Sequence, residues 1–264
     1  MGYKHREELT IPSYLVDGDK LLSPSSIMAV LQELSYNGST EMGCGVDDML
    51  AKGLAWVFSR NMFRVHRYPR ITEKVHLETW YRGFEGLMVL RDYRILSEDG
   101  EPLVSATSSS LIIDVNTREL KRTDHLDGII SPEPQCTESA LGCNAEKLTI
   151  RPGDLIGNNT GDNSAPGASE RQETTWTDTG ITRTVRYGDT DFVGHLNNTC
   201  YLKWVIDCEH RLGGIIHPTE VCINFLKETK LDSTLTFRRQ TNSSGTLYVA
   251  LSPDGHPSMT CRLR

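Results

Sequence analysis

Apolar residues recur along the chain with two periods, and their order predicts the architecture. Tyr201, Trp204, Val205, Cys208 and Leu212 fall at i, i+3, i+4, i+7 and i+11, which is one face of a helix. Ile27, Val30, Leu31 and Leu34 mark an earlier helical face. Ser23-Pro24 opens it as an N-cap and a first-turn proline, and Gly43 and Gly45 mark its end. Elsewhere the pattern is that of strands. In the first half these cover 10–16, 56–66, 75–81, 87–96 and 103–115. In the second half they cover 182–187, 221–228, 233–240, 247–251 and 258–263, with a helix over 197–212. One helix followed by a run of antiparallel strands is an α+β order, not alternating βαβ.

That order occurs twice. The turn Ser252-Pro253-Asp254-Gly255-His256-Pro257 echoes Ser97-Glu98-Asp99-Gly100-Glu101-Pro102. Likewise, Asp189-Thr190-Asp191 precedes the second helix as Asp17-Gly18-Asp19 precedes the first. These landmarks predict an internal duplication, with a unit over 1–125, a linker over 126–178 and a second unit over 179–264. Residues 152–180 are rich in Gly, Asn, Ser and Thr, as a surface connection would be, and Trp176 is their one large apolar anchor. On this alignment Asp191 faces Asp19, Gly194 faces Leu22 and His195 faces Ser23. Glu228 stands where the first unit has Tyr68-Pro69. Only the second unit then holds an acid–histidine–acid set, so one active site is expected, with the first unit left for substrate binding.

Composition narrows the function classes. A net charge of −7 argues against a nucleic-acid binder, which should be basic. Seven cysteines, odd in number and without a Cys-x-x-Cys pair, read as reduced thiols. With no secretory segment and no apolar run of about 20 residues, the expectation is a cytoplasmic protein without a membrane span. The eight histidines lack metal-ligand spacing, so neither a metal nor a cofactor is expected.

The densest chemistry lies between Arg186 and Tyr201. Asp191 to His195 brings an acid, a tight glycine and a histidine into five residues, and Asn197 or Asn198 can cap the helix that follows. This loop feeds a helix N-terminus, where free amides and the helix dipole can hold developing negative charge. The plain alternative is an Asx turn capping a helix beside a surface histidine.

Asp-Thr-Asp-x-x-Gly-His-x-Asn-Asn followed by a helix resembles the signature of hotdog-fold thioesterases. The whole chain is similar to the acyl-acyl carrier protein (acyl-ACP) thioesterases of bacteria and plant plastids. The likeness includes Gly53-Leu54-Ala55-Trp56-Val57-Phe58-Ser59-Arg60, Tyr68-Pro69, Glu78-Thr79-Trp80 and Arg91-Asp92. It implies two tandem hotdog units, each a long helix wrapped by a curved antiparallel sheet, paired within one chain. A further homodimer is left open. The implied reaction is hydrolysis of fatty acyl-ACP, whose acyl chain rides on a phosphopantetheine arm.

In that family an aspartate, an asparagine two residues on, a histidine two further and a downstream glutamate carry the site. The matching positions are Asp191, Val193, His195 and Glu228. Val193 is a departure, because valine can neither orient water nor donate to a carbonyl. The wider 4-hydroxybenzoyl-CoA-type thioesterases lack that asparagine, and this likeness implies Asp191 as nucleophile or general base. Amides near Gly194, Asn197 and Asn198 would polarise the carbonyl. His195 and Glu228 become acid/base or water-positioning partners.

Thr229 stands where plant relatives place a cysteine, and Cys200, on the helical stripe or its edge, reads as core packing. Arg60, Arg64, Arg67 and Arg70 form the densest basic stretch. It suits an acidic carrier or its arm, or equally a solvated strand face. Trp56 is expected in the first unit's core beside an acyl cleft. Two other readings stay open: an acyl-CoA thioesterase, and a non-catalytic hotdog that binds acyl thioesters.

Overall fold

In the computed structural model, which describes residues 2–122, 126, 128–150 and 176–264, each half of the chain builds five strands around a long helix. The first half runs β1 (His5–Thr10), α1 (Pro24–Glu41), α2 (Val46–Ala51), β2 (Leu54–Val65), β3 (Lys74–Glu85), β4 (Met88–Ser97) and β5 (Pro102–Asp114). The second runs β6 (Thr177–Thr184), α3 (Asn198–Leu212), β7 (Glu220–Phe225), β8 (Thr234–Asn242), β9 (Gly245–Leu251) and β10 (Pro257–Leu263). All ten strands form one sheet in the order β1-β3-β4-β5-β2-β7-β10-β9-β8-β6. The order is palindromic: outward from the central β2–β7 pair, each strand meets its counterpart. That pair is antiparallel, with Met62 opposite Cys222 and Phe63 opposite Val221.

The helices start where their caps dictate. Ser23 Oγ accepts the Ser26 amide at 3.2 Å, and Asn197 Oδ1 accepts that of Thr199 at 2.9 Å. Ile27, Leu31 and Leu34 of α1 and Tyr201, Trp204 and Val205 of α3 enter one buried cluster with Phe63, Tyr93, Phe237 and Tyr248. The two halves therefore share their main core cluster, and a smaller one around Met49, Leu54 and Tyr81 lies in the first half alone. At the end of α3, the fully buried Glu209 accepts from Arg239 Nε at 2.8 Å, Tyr248 Oη at 2.5 Å and the Ile215 amide at 2.7 Å.

Several expectations need correction. The strand expected over 10–16 lies instead at His5–Thr10, and Ser13–Leu15 is a 3-10 turn. Pro12 has no N–H for a ladder, and Val16 closes a loop by bridging to Leu22. The strand expected over 182–187 is likewise Thr177–Thr184, followed by a 3-10 turn at Tyr187–Asp189. The short helix α2 was not foreseen.

The alignment of the two halves also shifts by two residues. The Asp17 amide donates to Leu21 O at 2.9 Å, as that of Asp191 donates to His195 O at 2.8 Å. Lys20 and Gly194 hold the same left-handed position, with φ of 63° and 83°. Asp191 thus corresponds to Asp17, Val193 to Asp19, Gly194 to Lys20 and His195 to Leu21. Matching acid to acid by eye misled because both loops carry acids two apart. Downstream the earlier match holds. Leu22 N donates to Pro69 O and Leu196 N to Thr229 O, each at 2.8 Å, which sets Glu228 against Tyr68. The paired turns agree too, with the Gly100 and Gly255 amides donating to Ser97 O and Ser252 O, each at 2.9 Å.

Residues 128–150 contain no helix or strand, but they are packed. Trp80 Nε1 donates to Glu138 O at 2.8 Å, the Ala140 amide to Asp92 Oδ2 at 2.7 Å and the Leu148 amide to Asn224 Oδ1 at 2.7 Å. The rest of the expected linker, over 151–175, lies outside the described residues. Trp176 is buried against Val249 and Leu251. Among the described residues, no helix is long and apolar enough to cross a membrane.

Candidate active site

The loop before α3 is held by its own aspartate. Asp191 Oδ1 accepts the amides of Val193 at 2.9 Å and His195 at 3.1 Å. Gly194 supplies the positive φ that the turn needs, and its amide returns to Asp191 O at 3.0 Å. His195 then bridges to Lys230, which sets it beside the connection between β7 and β8. His195 Nε2 lies 3.4 Å from Glu228 Oε2. The other Glu228 oxygen accepts from Arg118, which stands on the turn after β5 in the first unit.

Asp191, His195 and Glu228 line one cleft of 690 Å³ with Trp56, Asn198, Tyr201 and Phe225. A smaller cavity of 220 Å³ shares Val46, Trp56, Phe58, Asp191, Phe192, Val193 and Asn198 with that cleft. It reaches Tyr36, Met42, Cys44, Tyr81, Val89, Ile130 and the buried Arg91, all in the first half of the chain. Trp56 Nε1 donates to Cys44 O at 2.8 Å, so the indole is fixed where the two spaces meet. Tyr201 Oη donates to Thr229 Oγ1 at 2.7 Å, and burial raises its phenol to about 12. Asn198 opens α3, and the first amides of a helix have no partner within it. The cleft thus combines two acids and a histidine with a helix N-terminus and an apolar extension.

The matching place in the first unit keeps a cleft, 650 Å³ and lined by Asp17, Asp19 and Ser23, but not the same side chains. Asp17 keeps the turn, with Oδ1 accepting the Asp19 amide at 3.0 Å, but Leu21 replaces the histidine and Tyr68 the glutamate. His217, from the loop after α3, lies with Nε2 2.6 Å from Asp17 Oδ2. Tyr68 packs its ring edge-on to His217 at 5.2 Å and donates from Oη to Pro218 O at 2.7 Å. Asp17, Asp19 and His217 also bring one ligand atom each to within 4.8 Å of one another, a grouping that sequence spacing could not reveal.

The structure gathers only part of the predicted set. Of the candidate oxyanion residues, Asn198 lines the cleft, whereas the Gly194 amide closes its own turn and the Asn197 side chain caps the helix. Val193 sits at the rim, 62% exposed, with its amide on Asp191. Trp56 lines both spaces, but Arg60, Arg64 and Arg67 line neither. Arg64 pairs with Glu220 at 2.9 Å, and Arg67 donates to Glu73 at 3.1 Å. Cys200 is half-buried, and burial raises its thiol. Sequence reading missed Arg118 and α2. Arg118 lies 110 residues from Glu228, and nothing local marks it.

The acyl-ACP thioesterase N-terminal domain profile matches residues 2–127, and the C-terminal domain profile of that family matches 172–260. The palmitoyl-acyl carrier protein thioesterase of Arabidopsis thaliana is 25% identical over 263 residues, covering 96% of this chain and 56% of the relative. The dodecanoyl-[acyl-carrier-protein] hydrolase of Umbellularia californica is 26% identical over 253 residues, covering 92% and 60%. The chain spans about half the length of the curated relatives it matches. Among solved structures, an acyl-ACP thioesterase from Bacteroides thetaiotaomicron aligns with a TM-score of 0.73 at 16% identity, over 98% of this chain and 96% of that one. The 12:0-ACP thioesterase of Umbellularia californica aligns at 0.69 and 22%, over 99% and 96%. These structural likenesses carry the hotdog fold.

Proposed function

The chain belongs to the acyl-ACP thioesterase family, and from that premise we propose that it hydrolyses fatty acyl-ACP to free fatty acid and holo-ACP. The observation that carries this reading is one cleft holding Asp191, His195 and Glu228 that shares Trp56, Asp191 and Asn198 with a cavity reaching into the first unit. In this reading the first unit takes the acyl chain and the second does the chemistry. The thioester carbonyl meets the amide at the start of α3, where the helix dipole favours the oxyanion. Asp191, with one oxygen held by two amides, attacks the carbonyl or takes the proton of the attacking water. His195, paired with Glu228, positions that water and relays the proton taken from it to the departing thiolate.

The partner is an acyl carrier protein presenting its phosphopantetheine-linked chain. Lys230 lines the cleft and suits an acidic carrier better than Arg64 and Arg67, which face acids of their own chain. The seven unpaired cysteines support a reducing, cytoplasmic setting. The sheet shared by the two units supports an internal pseudo-dimer. Val193 favours a second reading, a hotdog that holds acyl thioesters without turning them over.

Thiol release from acyl-ACP and acyl-CoA tests both. A preference for acyl-ACP, with kcat/KM falling about 100-fold or more in Asp191→Asn, is the expected result. Equal rates on both substrates would move the function to the broader thioesterase class. Binding without turnover on any chain length would select the second reading.

A further inference from the structure

The turn after β5 presents a side chain of the first unit to the cleft of the second. Arg118 adopts a φ of 63°, a left-handed conformation that costs a non-glycine residue energy. The turn is tightly specified. Asp114 Oδ1 accepts the amides of Asn116 at 2.9 Å and Thr117 at 3.1 Å, and the Arg118 amide donates to Asp114 O at 2.9 Å. The side chain so presented leaves its own unit and meets Glu228 at the cleft of the other.

Both partners are substantially exposed, at 55% and 38% of their side chains. Pairs this exposed add little to stability. The consequence is geometric instead. A half-exposed glutamate in the connection between β7 and β8 has free rotamers, and a guanidinium on one oxygen decides where the other one points. Here that second oxygen faces His195 Nε2 at 3.4 Å. We infer that Arg118, contributed by the first unit, is a positioning residue that holds Glu228 against His195. The second unit's site is then incomplete without the first unit for a reason separate from acyl binding. Only the kinetic consequence rests on the thioesterase reading.

The test joins a spectroscopic and a kinetic readout on the full chain. The His195 imidazole signals, assigned through their loss in His195→Gln, should move in Arg118→Ala about as far as in Glu228→Gln. The double variant should move them no further. Signals that stay in place in Arg118→Ala overturn the inference, whether or not the protein is a thioesterase. Kinetically, Arg118→Ala should lower kcat about tenfold or more while KM for acyl-ACP stays within about twofold. Added guanidinium ion, or Arg118→Lys, should restore part of the loss. A raised KM at unchanged kcat would overturn the inference and make Arg118 a carrier contact. Losses that add fully to those of Glu228→Gln would overturn it as well. Absence of turnover in the wild type would refute the thioesterase reading and leave the imidazole signals to decide. Thermal midpoints near the wild-type value exclude misfolding as the cause.

Discussion

Asp17 and Asp191 occupy the same kind of turn, with one carboxylate oxygen held by backbone amides in each, yet their surroundings differ by a few side chains. Leu21 in place of His195 and Tyr68 in place of Glu228 remove the imidazole and the second carboxylate from these two positions. His217 then occupies the acid that remains. The same reasoning applies to Asp114 beneath Arg118. Amides of the turn, above all that of Thr117, together with Lys121 hold its carboxyl down at about 2. An unfolded aspartate titrates near 3.9, so this group contributes stability above that value and loses it as pH falls through about 2. The Thr117 amide, which donates to that carboxylate, should therefore shift as pH falls through about 2 and stay still in Asp114→Asn. A shift that persists in the variant would assign the transition to another group.

At the scale of elements, α3 is secured at both ends by different means. Its start relies on the Asn197 cap, and its end on Glu209, a carboxylate withdrawn from water. Gly214 packs so closely there that a Cβ would lie 1.9 Å from Glu209 Oε2. Removing one member of a buried charged pair leaves the other uncompensated. Glu209→Ala should cost about 3–5 kcal/mol of unfolding free energy. Urea denaturation would measure this, and a loss under about 1 kcal/mol would show that water or relaxation compensates Arg239. The helix α2 acts differently. It follows α1 and lends Val46 and Leu50 to the cleft of the opposite unit. In the second unit the segment after α3 is a loop, and its His217 lies against Asp17 at the corresponding place.

For the whole molecule, the central β2–β7 pair and the shared cluster make the halves interdependent. Residues 179–264 expressed alone would expose the β7 edge and the α3 face that meets α1, besides losing Arg118. The full chain should unfold in one transition, coincident by circular dichroism and tryptophan fluorescence, whereas the fragment should fail to fold. Two separated transitions would argue for cores that stand independently.

The sequence by itself determined both long helices with their caps, most of the strands, the duplication and the contiguous Asp191–His195 loop. Each of these is written in local periodicity or in neighbouring residues, and the likeness to a known family lay in the same motifs. Only the tertiary structure decided that Asp17 is the true counterpart of Asp191, because backbone hydrogen bonds, not the spacing of acids, define the turn. It alone showed Arg64 and Arg67 facing acids of their own chain, and His217 lying against an acid 200 residues away. Arg118 reaching Glu228 across the two units belongs to the same class. Periodicity reports which face of an element is buried. It carries no information about which element lies across from it, and at this site that decides which charges meet.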